Sequence, residues 1–234
     1  MAMSGAILEV ENVTKVYRQG ALSVKALRGL SLEIEAGEFT AVCGPSGSGK
    51  TTLLNLIGAL DRPTSGTIRM EGRDLGAMGQ RARSHLRRDR IGFVFQAYNL
   101  MPVLTAYENA EMVLSLQGVG DDERRDQVLR VLGDVGLEGL EDRRPDELSG
   151  GQQQRVAIAR AIVSNPAVVL ADEPTANLDS ENATRLLDIM EQLNRERGAT
   201  FVFSTHDPRV MERARRLVRV VDGQVERDED SAAS

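Results

Sequence analysis

The segment "GPSGSGKT", Gly44 to Thr51, constrains this chain more than any other stretch of its 234 residues. It lies between the apolar run "TAVCG" and the amphipathic stretch "KTTLLNLIGAL". Glycines at Gly44, Gly47 and Gly49 let the backbone curl until successive N–H groups face one point, which makes an anion cradle. A helix starting at Lys50 aims the positive end of its dipole at the same point. The spacing is G-x-x-x-x-G-K-[ST]. In that arrangement Lys50 reaches the β/γ oxygens of a nucleotide and the Thr51 hydroxyl ligates Mg²⁺. The fold must therefore hold a buried strand whose C-terminal end opens directly into a helix.

The remaining pattern agrees. "ILEVENVTKVY" and "SLEIEAGEF" alternate apolar and polar residues, the period of half-buried strands. "GTIRMEG" reads as a short strand. In the helix after the cradle, Leu53, Leu54, Ile57 and Leu60 are expected on one face. From about Arg81 to Asn165 the pattern is helical, clearest in "DERRDQVLRVLGDVGL". There Val128, Leu129, Leu132 and Val135 form an apolar stripe, and Asp121 or Asp122 is the expected cap. From Ala167 strands and helices alternate again: "AVVLAD" as a buried strand, "SENATRLLDIMEQLNRERG" as a helix ending at Gly198, and "TFVFSTHD" as a strand. "RVMERARRLVRVVDGQV" reads as a helix leading to a hairpin that turns at Asp222-Gly223. The expectation is a single α/β domain over residues 1–234, with a mainly parallel sheet. Its core spans about 1–90 and 166–225, a helical insert spans about 91–165, and a frayed tail follows from 226.

Two carboxylates close the site. Asp172 ends the apolar run "VVLA", where an ionised group is costly unless it meets a cation. Mg²⁺ would supply that cation, and Glu173 would polarise an attacking water. His206, in "FSTHDP", ends another strand at the sheet edge where α/β proteins bind ligands, and could bond the γ-phosphate. Gln96 follows "GFVF" and could reach the metal or the water. Tyr17 could stack on a base or pack in the core. His85, in "RSHLRRDR", reads as a surface residue.

Net charge is −6, which argues against general nucleic-acid binding. Only three of the 29 basic residues are lysines, Lys15, Lys25 and Lys50, so a lysine in the cradle stands out. The single cysteine, Cys43, excludes a disulfide within the chain, fits a reducing compartment, and is expected as a small buried strand residue. No apolar run approaches the ~20 residues of a membrane span, and the N-terminus lacks the pattern of a signal peptide.

A second glycine motif, "LSGGQ", precedes a helix that carries Val156, Ala159 and Val163 on one face. With Tyr17, "GPSGSGKT", Gln96, "VVLADE", "NLD" and His206 in this order, the chain resembles the ATP-binding subunits of ABC transporters. The resemblance implies a P-loop NTPase core with an N-terminal antiparallel β subdomain and an inserted helical subdomain that carries "LSGGQ", and ATP and Mg²⁺ as cofactors. It makes Gly44, Pro45, Ser46, Gly47, Ser48, Gly49, Lys50, Thr51 and Thr52 the phosphate loop, and Tyr17 the residue that stacks on adenine. Thr51, Asp172 and Gln96 fall at the metal, Glu173 and His206 at the hydrolytic water and γ-phosphate, and Asp179 in the D-loop. The segment reads "ANLD", where Ser or Gly often precedes the later residues. The resemblance further implies a head-to-tail dimer, in which Ser149, Gly150, Gly151 and Gln152 of one copy meet ATP held by the other.

"IGFVFQAYNLMPVLTAYENAEM" and "LADEPTANLDS" resemble the branch of LolD-type lipoprotein-release and MacB-type export ATPases. That branch implies an FtsX-like permease as partner and a place on the cytoplasmic face of the inner membrane, with no nucleic-acid partner. It also makes Gln96 to Met112, with Tyr98, Asn99, Leu100 and Tyr107 exposed, the groove for the permease. An FtsE-like regulatory ATPase and a soluble non-transport ABC ATPase are the alternatives. Long coiled coils or a second cassette, which such soluble relatives carry, are missing from the sequence.

Overall fold

A computed structural model describes residues 5–20 and 22–230. Two sheets form the frame. Strands β1 (Ala6–Gln19) and β2 (Leu22–Glu35) pair antiparallel, and β4 (Ser65–Met70) and β5 (Arg73–Asp74) extend them in the order β2-β1-β4-β5. The larger sheet runs β10-β9-β3-β8-β7-β6, from β3 (Phe39–Cys43), β6 (Ile91–Phe95), β7 (Val168–Asp172), β8 (Thr200–Thr205), β9 (Arg216–Val221) and β10 (Gln224–Asp230). All of its pairs are parallel except β9 with β10.

The central strands read as continuous apolar runs because both faces are covered. Phe39, Val169, Ala171, Phe201 and Phe203 point into one core, shared with α3 (Ala106–Gln117), α4 (Asp121–Asp134), α5 (Gly150–Ile162) and α6 (Ser180–Arg197). Their neighbours Val42, Val168, Leu170 and Val202 point into a second core, shared with α1 (Lys50–Ile57), α2 (Gln80–Arg90) and the antiparallel sheet. Phe39 anchors the first core, with ring centroids 4.6 Å from Phe203 and 5.6 Å from Phe201.

Several expectations are corrected. Ile91–Phe95 is not part of the helical insert: as β6 it pairs with β7, and the insert begins after it. The stretch from Arg209 is helical only as far as Arg213, in α7 (Pro208–Arg213). Beyond it β9 adds in parallel to β3, burying Val218 and Val220. Residues 226–230 continue β10 instead of fraying, and Arg216 grips Asp228 across the hairpin with bonds of 2.7 Å. Residues 231–234, the rest of the expected tail, lie outside the described residues. Leu60 lies past α1 and is 46% exposed. Gly120 caps α4, so Asp121 and Asp122 fall inside its first turn, where they complement the helix dipole. The Asp222-Gly223 turn stands as expected, with φ of 48° and 76°.

Candidate functional site

The parallel register brings four expected residues to one edge. Gly44, Glu173 and His206 each follow the last residue of β3, β7 and β8, and Gln96 follows β6. Cys43 pairs with Thr205, Asp172 with Ser204, and Phe95 with Asp172. This carboxyl edge is where open α/β sheets bind ligands.

The cradle is shaped by what its glycines avoid. A Cβ on Gly44 would stand 2.0 Å from the Val220 carbonyl oxygen, and one on Gly49 would stand 2.6 Å from that of Ala26. Gly47, at φ +77°, faces open space. Beside it lies a hollow of about 250 Å³ lined by Ser46, Gly47, Gly49, Lys50, Thr51, Thr52 and Glu173. Lys50 is 7% exposed, and its Nζ donates to the carbonyls of Gly44 (2.8 Å) and Pro45 (3.1 Å). The Ser48 hydroxyl is buried in the same loop with no partner. An open glycine cradle, an ammonium and a free hydroxyl fit a polyphosphate.

Thr51 Oγ1 donates to Asp172 Oδ1 at 3.1 Å, joining the start of α1 to the end of β7. Ser204, the register partner of Asp172, donates its hydroxyl to the same oxygen. No group of three or more His, Cys, Asp or Glu able to hold a metal occurs among the described residues. One carboxylate beside one hydroxyl at a phosphate cradle is the oxygen-poor donor set that suits Mg²⁺, which takes its remaining ligands from phosphates and water. Ser204 escaped the sequence reading, although it lies in the same "FSTHD" stretch, two residues before His206.

Glu173 takes a left-handed backbone, φ +48°, and its N–H donates to the Ser204 carbonyl at 3.0 Å. That turn carries the side chain out of the strand, and its Oε1 lies 2.8 Å from His206 Nδ1. Cys43 is half-buried, not fully buried as expected. Burial pushes its thiol pKa up, against the pull of Arg219. Tyr17 is 41% exposed; its hydroxyl bonds Asp61, and Lys15 lies 4.9 Å from its ring centroid. Gln96 is exposed, and its carbonyl accepts from Asn177 Nδ2 at 2.9 Å. No hydrogen bond ties the Gln96 side chain to Thr51 or Asp172.

The second glycine motif stands apart from this hollow. Ser149 caps α5: its Oγ accepts from the Gln152 N–H, while the Gln152 side chain accepts from the Ser149 N–H at 2.8 Å. A Cβ on Gly151 would come within 2.6 Å of Asn182 Oδ1, and one on Gly150 within 3.0 Å of the Tyr98 hydroxyl. Asp179 caps α6 and holds that same Asn182 with two bonds of 2.8 Å. The Asn182 N–H and amide lower the Asp179 pKa. Gln154, on α5, donates to the Pro174 carbonyl at 2.8 Å, linking this helix to the loop after Glu173.

The segment expected to form a groove is also corrected. Leu100 and Tyr107 pack against the core, whereas Met101 and Val103 are the exposed apolar side chains. The hollow nearby, about 390 Å³, is walled by Leu60, Arg87, Phe93, Phe95, Val113 and Arg160, and Asn99 is the one residue of 96–112 that lines it. Tyr98 and Asn99 both adopt positive φ. The half-buried Arg160 holds their carbonyls at 2.8 and 2.6 Å, a clamp with no signature in sequence.

Comparison with known proteins decides the family. The ABC transporter family profile matches residues 27–176. The chain belongs to the ABC transporter family. It is an ABC ATPase, 46% identical over 222 residues to the lipoprotein-releasing system ATP-binding protein LolD of Anaeromyxobacter dehalogenans, covering 94% of this chain and 93% of that protein. It is 48% identical over 222 residues to the macrolide export ATP-binding/permease protein MacB of Syntrophobacter fumaroxidans. That match covers 94% of this chain but only 31% of MacB, so the chain spans about a third of that relative. The ATP-binding cassette MJ0796 of Methanocaldococcus jannaschii, solved as a dimer in a post-hydrolysis state bound to ADP and Pi, superposes with a TM-score of 0.88. The two are 43% identical, and the match covers 96% of this chain and 98% of the cassette. No helix among the described residues is long and apolar enough to cross a membrane.

Proposed function

We propose that two copies of this chain close head-to-tail around two ATP molecules and drive a membrane permease of the FtsX-like class. The observation that carries the reading is the separation of the two glycine motifs. Ser46, Gly47 and Gly49 to Thr52 line a hollow that Ser149, Gly150, Gly151 and Gln152 of the same copy do not. The Ser149 and Gln152 N–H groups are spent in the cap of α5, so the N–H groups of Gly150 and Gly151 are the ones that would meet a phosphate, supplied by the other chain.

Gly44 to Thr52 would cradle the phosphates, with Lys50 turning from its loop carbonyls to the β/γ oxygens. Tyr17 would take the adenine ring on its exposed face. Thr51 and Asp172 would hold Mg²⁺, with Gln96 as a further neutral ligand; bound there, the metal neutralises charge on the β and γ oxygens. Glu173 accepts a proton from the attacking water, and its left-handed turn keeps the carboxylate forward of the strand end. His206, hydrogen-bonded to Glu173, is placed to hold that carboxylate and bond the γ-phosphate. Asp179 acts through Asn182 on Gly151, which makes it a positioning residue for the second motif.

Similarity to LolD and MacB supports the export branch and a position on the cytoplasmic face of the inner membrane. Co-expression with an FtsX-like permease of the same genome tests that part. A detergent-stable complex with ATP turnover altered by the permease is expected; a chain that never associates with it contradicts the reading and favours a soluble ABC ATPase.

A further inference from the structure

The left-handed turn at Glu173 is closed by few backbone bonds. Its own N–H donates to the Ser204 carbonyl at 3.0 Å, and the Ala176 N–H donates to the Glu173 carbonyl at 3.2 Å. The residue between, Pro174, has no N–H to add. Backbone in a sparsely populated region persists where its surroundings over-determine it. Two side chains from the neighbourhood do so here. Gln154, fully buried on α5, donates its amide to the Pro174 carbonyl at 2.8 Å. Thr175, also buried, donates its hydroxyl to Asp207 Oδ2 at 2.8 Å. Asp207 follows His206 and is itself fixed, by the Arg209 guanidinium at 2.7 Å and through its own N–H to Thr205 Oγ1 at 2.9 Å. One line of bonds therefore runs from α5 through Pro174 and Thr175 to the loop that carries His206.

Packing does not account for Gln154. The Pro174 carbonyl can only accept, so the amide turns Nε2 toward it, and Oε1 is left buried with no partner. An orphaned buried acceptor is a cost that an apolar side chain of the same length would not carry. What the position holds is a donor aimed at the residue after Glu173. Gly151, which opens the same helix, lies three residues earlier and on the same side of it. It packs against Asn182, which Asp179 holds. Thus α5 reaches the 173–179 loop near both of its ends.

We propose that Gln154 is a positioning residue for hydrolysis: its bond to the Pro174 carbonyl fixes the turn that carries Glu173, so the helix of the second glycine motif sets the base of its own copy. This rests on the reading above of Glu173 as the base in a head-to-tail dimer, and it assigns a role to a residue that touches neither ATP nor water. Without the amide, the Glu173 carboxylate loses its fixed place beside His206, while the cradle from Gly44 to Thr52 and the stacking face of Tyr17 are untouched.

The test mixes two forms of the full chain. The first carries Ser149→Arg and keeps its own cradle and Glu173. The second carries Lys50→Ala and Glu173→Gln and supplies only Ser149 to Gln152. Each is expected to be inactive alone, and the mixture to hydrolyse ATP at the one complete site. Gln154→Met, or Gln154→Asn, whose amide falls one methylene short of Pro174, is then added to either form. On the first form each should lower kcat by about ten- to a hundredfold, the scale of a misplaced catalytic group, with KM for ATP unchanged. On the second form each should leave turnover as it was. Melting temperatures close to that of the parent form check that the fold is kept. Unchanged kcat with the substitution on the first form overturns the inference. So does an equal or larger loss with it on the second, because Gln154 then serves only the shape of the second motif. An inactive parent mixture, or one that stays active when Glu173→Gln is added to the first form, overturns the dimer-and-base reading and the inference with it.

Discussion

Glu173 occupies a left-handed backbone at φ +48° without being glycine. That conformation costs an L-residue roughly 1–2 kcal/mol. Replacing it with Gly removes the cost; replacing it with Ala keeps it. Both substitutions delete the bond to His206, whose ring is 72% exposed, so that loss cancels in the comparison. At ordinary positions Gly is less stable than Ala by about 0.4–1 kcal/mol, because its unfolded chain has more freedom. Subtracting the middle of one range from the middle of the other leaves Glu173→Gly more stable than Glu173→Ala by roughly 0.8 kcal/mol, a reversal of the usual order. In a chain of this size that is about 1–4 °C in melting temperature. Urea unfolding followed by circular dichroism in EDTA, without nucleotide, measures the difference. Both variants should lose about 10²–10⁴-fold in ATP turnover, the usual worth of a positioned base. An Ala variant as stable as the Gly variant, or more so, refutes the idea that backbone strain is held at this carboxylate.

Two further outcomes follow from contacts away from the hollow. Gly150→Ala brings a methyl group 3.0 Å from the Tyr98 hydroxyl, so Tyr98→Phe should relieve it; a double-mutant cycle in urea should give a coupling of about 0.5–3 kcal/mol, and none would deny the contact. The Arg209 guanidinium, then the Thr175 hydroxyl and the Arg209 N–H, hold the Asp207 pKa low against the opposing effect of burial. Such a carboxyl stabilises the fold above its unfolded pKa of about 3.9 and loses that contribution as pH falls through the folded value. Asp207→Asn should therefore flatten the fall in stability below about pH 4, and an unchanged acid limb in urea midpoints would contradict it.

The cradle was legible because one continuous apolar strand, three glycines and an amphipathic helix state the same structure at every level. Elements were lost where a pattern served two periods. In "RARRLVRVV" apolar positions suit a helix, and parallel pairing of β9 with β3 decides for a strand that buries Val218 and Val220. "IGFVF" is too short to tell strand from buried helix, and only its pairing with β7 makes it β6. Residues 226–230 read as a charged tail because four of the five are acids, and on the exposed edge strand Arg216 supplies a partner from another strand. Within the site, residue types announced Lys50, Thr51, Asp172 and Glu173. Long-range partners did not announce themselves: Ser204 on Asp172, Asn182 against Gly151, Arg160 on the Tyr98–Asn99 turn, and Gln154 on Pro174 become visible only when the chain is folded.

The central claim is that ATP joins two copies because neither holds a whole site. Glu173→Gln keeps the shape of the side chain and removes the base, so ATP should bind and persist. Size-exclusion chromatography with light scattering, run in ATP and Mg²⁺, should show a mass of twice 25.5 kDa, returning to the monomer when Ser149→Arg is added. A Glu173→Gln protein that stays monomeric in ATP and still hydrolyses it at the wild-type rate would contradict the account.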